Sequence, residues 1–97
     1  MKLTESDIKS IKDFFSNKPV LRAWLFGSYS RDEAVNGSDI DILVDLDYTH
    51  HIGLGFVQMK LDLEQRLNKP VDLVSSQSLS GHILPFVNHD KRLIYEK

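Results

Sequence analysis

The order of patterns along the chain predicts an α/β (α+β) fold, a small β-sheet packed against helices. Three observations carry that prediction. Residues 38–46 alternate strictly, with Ile40, Ile42, Val44 and Leu46 on one side and Asp39, Asp41, Leu43 and Asp45 on the other. Residues 52–67 repeat apolar side chains three or four apart, at Ile52, Phe56, Met59, Leu63 and Leu67. Residues 20–26 read as a buried strand that ends at Gly27-Ser28, and 71–74 as a short strand followed by serines.

The remaining elements follow in chain order. Thr4 is placed to cap a first helix, with Glu5 and Asp7 at its positive end and Ile8, Ile11 and Phe15 on its inner face. That helix ends near Asn17–Pro19, because proline has no backbone donor to continue it. After the strand at 20–26, the first part of the polar stretch 29–37 is expected to form one or two helical turns, and Asn36-Gly37 marks a turn. The long helix over 52–67 leads to the strand at 71–74. A turn at 75–80, a short helix around Ile83–Val87 and a last short strand at Leu93–Tyr95 complete the reading.

The bulk properties bound the function. The 97 residues suit one domain, 1–97, with one core, and 41% are hydrophobic. Cysteine is absent, which excludes disulfides, thiol catalysis and cysteine-based zinc sites. No apolar run approaches the roughly 18 residues of a membrane helix, so no membrane partner is expected. The polar start MKLTESDIKS does not read as a signal peptide, and a cytoplasmic location is the expectation. A net charge of -2 without a basic stripe makes nucleic acid an unexpected direct partner.

Residues 27–45, GSYSRDEAVNGSDIDILVD, carry the chemistry. Side chains two apart on a strand point the same way, so Asp39 and Asp41 can reach one site. Asp72 completes a carboxylate triad if its strand lies beside theirs. Clustered carboxylates repel one another, and divalent cations relieve that repulsion. Oxygen ligands suit Mg²⁺, and two such ions can clamp the attacking and leaving oxygens of an in-line displacement. Gly27 allows a phosphate close to the backbone, Ser28 adds a donor, and Arg31 is a cation within reach of a triphosphate. The histidines show no zinc spacing. Tyr29 and Trp24 are each open to two readings, substrate stacking or core for the first, core or interface for the second.

This stretch resembles the polymerase beta-like nucleotidyltransferase superfamily, and within it the minimal nucleotidyltransferases, the MNT antitoxin type paired with HEPN-domain toxins. The resemblance rests on Gly27-Ser28, about ten residues, Asp39-Ile40-Asp41 and then Asp72, within GSYSRDEA, GSDIDILVD and KPVDLVSS. It implies the nucleotidyltransferase fold with a small mixed sheet. It implies Asp39, Asp41 and Asp72 as catalytic carboxylates and metal ligands for two Mg²⁺ ions. Gly27, Ser28 and Arg31 are implied as contacts to ATP, the substrate. It further implies transfer of AMP to a tyrosine hydroxyl of a HEPN toxin partner. Two alternatives stay open on sequence: a non-catalytic antitoxin or subunit that acts by binding, and an enzyme modifying a small molecule. Exposed strand edges also leave a homo-oligomer open.

Overall fold

The computed structural model describes residues 3–31, 33–35, 37–78 and 91–97. Helix α1 spans Glu5–Phe15, strand β1 Val20–Phe26, strand β2 Ile40–Leu46, helix α2 Gly55–Leu67, strand β3 Val71–Ser75 and strand β4 Arg92–Glu96. A short 3-10 turn, Ser76–Ser78, follows β3. The four strands form one sheet in the order β3-β2-β1-β4. β1 runs antiparallel to both β2 and β4, whereas β2 and β3 are parallel, joined through α2. The sheet is therefore mixed.

Local chemistry explains the helix ends. Thr4 and Asp7 form a reciprocal capping box: the Thr4 hydroxyl accepts from the Asp7 N–H at 3.0 Å, and the Asp7 carboxylate accepts from the Thr4 N–H at 3.2 Å. At the far end of α2, Asn68 takes the left-handed conformation, φ 54°, that stops the helix and turns the chain into β3.

Burial follows the alternation. Ile40, Ile42, Val44 and Leu46 of β2 are buried against Ile11 and Phe15 of α1 and Met59, Leu63 and Leu67 of α2. Both helices thus serve the same apolar face of the sheet, and the opposite face is left for Asp41 and Asp45. Leu43, on that second face, is also buried but lies outside the main cluster. The Phe14 ring is covered by the Lys18 and Arg66 cations, 4.9 and 5.4 Å from its centroid. No helix among the described residues is long and apolar enough to cross a membrane.

Several elements differ from the sequence reading, and β2 is one of them, beginning at Ile40 rather than 38 and leaving Asp39 just outside it, while β3 extends to Ser75. The long helix begins at Gly55 rather than 52, because Gly53 sits at φ 46°, left-handed, and breaks the ladder. Ile52 keeps its apolar role by packing on the core from the preceding turn. The helical turns expected after residue 28 are a tight turn instead, in which the Gly27 carbonyl accepts from the N–H groups of both Ser30 and Arg31. At the expected Asn36-Gly37 position, Gly37 has φ 91°, and Val35 and Ser38 exchange two hydrogen bonds. The helix expected around Ile83–Val87 lies outside the described residues. The last strand is present and longer than expected.

Leu63 is fully buried between helix and sheet. Leu63→Ala is expected to cost about 2–5 kcal/mol through lost burial and a residual cavity, read from urea unfolding.

Candidate active site at the carboxylate edge of the sheet

The parallel pairing of β2 and β3 sets the site. Its register places Asp41 directly beside Asp72. Paired residues of neighbouring strands project to the same face, so both carboxylates lie on the side away from the helices. The condition attached to Asp72 is met. Asp39 lies just before β2 and is exposed, close enough to add its charge to the other two.

On the other side of Asp41 stands β1, with Phe26 as its cross-strand partner. The chain turns at the next residue. Gly27 adopts φ 74°, and a Cβ at this position would collide with the Asp41 carboxylate. Two demands therefore meet in one residue: a left-handed backbone and an open surface on which Asp41 can rest. Ser28 is half-buried, and its carbonyl accepts from the Glu33 N–H at 2.8 Å, closing the loop over the turn. Arg31 donates from Nε to Glu33 at 3.1 Å, and its charge also acts on Asp41.

The electrostatics record this crowding. The Asp41 carboxyl is pushed up from 3.8 to about 6, first by burial, then by the Asp72 and Asp39 charges, with Arg31 pulling weakly the other way. A carboxyl so shifted has a strong demand for positive charge. Among the described residues no three acidic or imidazole side chains converge tightly enough to hold a metal by themselves. The geometry is an open, oxygen-only donor set along one edge. That fits Mg²⁺, which keeps several waters and completes its shell with substrate phosphates.

Other sequence candidates fall elsewhere. Asp45 is committed to Arg22, at 3.3 Å, and to the Ser76 hydroxyl, at 3.2 Å, further along the sheet. Tyr29 is buried in the core cluster, which decides its reading. Trp24 is half-buried on the Asp41 face, with the Lys91 ammonium 4.8 Å from its ring centroid. His50 and His51 are exposed, His50 lying 3.7 Å from Asp47. Two neighbours of the site went unread in the sequence. Phe26 ends a run that reads only as apolar, and Glu64, which binds the start of β3, has no periodic signature.

Comparison with known proteins agrees with this geometry. The family "Polymerase beta, Nucleotidyltransferase" matches residues 9–97. The chain belongs to the polymerase beta nucleotidyltransferase family. It is 38% identical over 86 residues to the protein adenylyltransferase MntA of Thermococcus cleftensis, covering 84% of this chain and 86% of that one. It is 43% identical over 60 residues to a candidate protein adenylyltransferase of Methanocaldococcus jannaschii, covering 62% of this chain and 63% of the relative's length. A toxin-antitoxin crystal structure with AMP-PNP contains a chain of the same fold, with TM-score 0.80 and 25% identity over 93% of this chain and 73% of that one.

Two outcomes follow from the Asp41 environment. The folded chain holds the Asp41 proton more tightly than the unfolded chain, so metal-free stability falls as pH rises from about 4 through about 6. Asp41→Asn is expected to stabilise the metal-free protein at pH 7.5 by on the order of 1 kcal/mol after solvent screening, with the gain gone by about pH 4, in thermal melts across pH. Gly27→Ala is expected to destabilise by about 1–3 kcal/mol, and by less in an Asp41→Ala background where the collision is absent; urea unfolding of the four proteins measures the difference.

Proposed function

We propose that this chain is a protein adenylyltransferase of the antitoxin type, moving AMP from ATP onto a tyrosine hydroxyl of a HEPN toxin. The observation that carries it is the Asp41–Asp72 register, with Asp39 two residues away and the Gly27 turn against Asp41. The similarity to the Thermococcus cleftensis protein adenylyltransferase supports AMP as the group transferred. The AMP-PNP in the structural relative supports ATP as donor, and that relative's toxin-antitoxin pairing supports a toxin as acceptor.

In this reading Asp39 and Asp41 would hold two Mg²⁺ ions, and Asp72 would help hold one of them. Bound Mg²⁺ supplies charge neutralisation at the triphosphate and at the carboxylates. Ser28 and the backbone at Gly27 hold the β- and γ-phosphates, and Arg31 adds a cation beside them. Asp72, the more exposed partner of the pair, faces the acceptor and takes the hydroxyl proton. The acceptor oxygen bonds to the α-phosphorus while the bond from that phosphorus to the β-bridging oxygen breaks. Pyrophosphate leaves with the bonding electron pair.

The test is incubation with ATP labelled at the α-phosphate, Mg²⁺ and the protein encoded beside this one. Label is expected on that neighbour, and Asp39→Asn with Asp41→Asn is expected to lower the rate at least about a hundredfold. A tight complex that silences the neighbour without any label would overturn transfer in favour of binding. Label confined to a small hydroxylated compound would overturn the protein acceptor.

A further inference from the structure

We infer that Glu64 is a positioning residue for the third carboxylate: its side chain fixes the peptide unit from which Asp72 projects. The inference deepens the reading of Asp72 given above and rests on it.

The point of control is one peptide bond, Pro70–Val71. Its carbonyl and its N–H point in opposite directions, because the peptide is planar and trans. The Pro70 carbonyl accepts from the Ile40 N–H of β2 at 2.9 Å. The Val71 N–H accordingly points away from β2, toward the outer side of β3. β3 is at the edge of the sheet, so no further strand among the described residues receives that donor. The Glu64 carboxylate receives it, from the last turn and a half of α2, at 3.0 Å in a partly buried setting. One peptide is thus held from both sides, by the strand that carries Asp41 and by the helix that crosses behind it. Asp72 is the second residue of β3, directly after this unit.

The β2 pairing and the burial of Val71 fix the register of this point, and the chain leading into it adds little on the outer side. Asn68 turns left-handed at the end of α2, and only Lys69 and Pro70 separate it from β3. Lys69 reaches Asp7 of α1 at 3.9 Å, which anchors the turn but not the strand. Glu64 itself sits beside Leu63 in sequence, whose burial fixes the helix to the core. The carboxylate therefore transmits the position of a packed helix to the backbone beside Asp72. A charge-assisted bond to a backbone donor is suited to that task, being stronger than a neutral one.

The experiment titrates Mg²⁺, in the presence of AMP-PNP, into wild type, Glu64→Ala, Glu64→Gln and Thr4→Ala, by calorimetry. Thr4→Ala removes the α1 cap and serves as a loss of stability that leaves the Glu64–Val71 bond itself in place. Glu64→Ala is expected to weaken Mg²⁺ binding about tenfold, the usual scale for a residue that orients a ligand. Glu64→Gln keeps an acceptor oxygen and is expected to stay within about twofold of wild type. In AMP transfer, Glu64→Ala is expected to lower kcat with little change in KM for ATP. Mg²⁺ affinity unchanged in Glu64→Ala, or lowered equally in Thr4→Ala, would overturn the positioning role. Equal losses in Glu64→Gln and Glu64→Ala would also overturn it, since charge and not the bond would then be the cause. A wild-type protein that binds no Mg²⁺ would instead overturn the metal-dependent reading, and this inference with it.

Discussion

The parallel pairing of β2 with β3 is the constraint on which the site depends. It brings two carboxylates side by side and keeps them there at a cost in electrostatic repulsion. Nothing in the acids themselves favours that arrangement. It is imposed by the opposite face of the same strands, where Ile40, Ile42, Val71 and Leu73 are buried against the helices. The hydrophobic face fixes register, and a slip of one residue would send the aspartates into the core. Burial on one side of the sheet thus holds like charges together on the other, and the raised Asp41 carboxyl is the electrostatic trace of that conflict.

The rest of the architecture keeps the edge open and aimed. β1 lies antiparallel to β2 and ends beside Asp41, so the chain must turn where the carboxylate needs room, and Gly27 satisfies both requirements. The Ser28–Glu33 bond and the Arg31–Glu33 pair close the turn into a compact loop with a cation near the acids. At the other end of the sheet, Asp45 is drawn into contacts with Arg22 and Ser76, which ties β1 and β2 to the turn after β3. Acids on one strand face therefore divide into two kinds. Those near the Gly27 turn are left short of positive charge, and the one further along is satisfied.

Much of this was legible in the residues. The strict alternation of 40–46 revealed both the strand and its two faces, since a half-buried strand leaves an unambiguous period of two. The Gly27-Ser28 and Asp39-x-Asp41 spacing points to the candidate site through its family resemblance. Pairing order was not legible: Asp72 could be joined to the pair only once β3 was seen beside β2, and contacts between distant segments leave no local mark. The start of α2 is not legible, because Ile52 fits the helical period although Gly53 turns left-handed and the isoleucine packs from a turn. Tyr29 stood ambiguous beside a phosphate-like turn and proved to be core. Glu64 gave no signal, because a single polar residue that bonds across a turn looks like any solvated helix position.

On the proposed reading, sheet register assembles an oxygen-only site for divalent cations and a triphosphate. Its most direct test is crystallographic: the protein crystallised with Mn²⁺ and AMP-PNP, with anomalous scattering used to locate the metal. Two anomalous peaks roughly 3.5–4 Å apart are expected, both bound by Asp39 and Asp41, with Asp72 on one of them. Metal bound away from these carboxylates, or nucleotide seated elsewhere than the Gly27 turn, would contradict that reading.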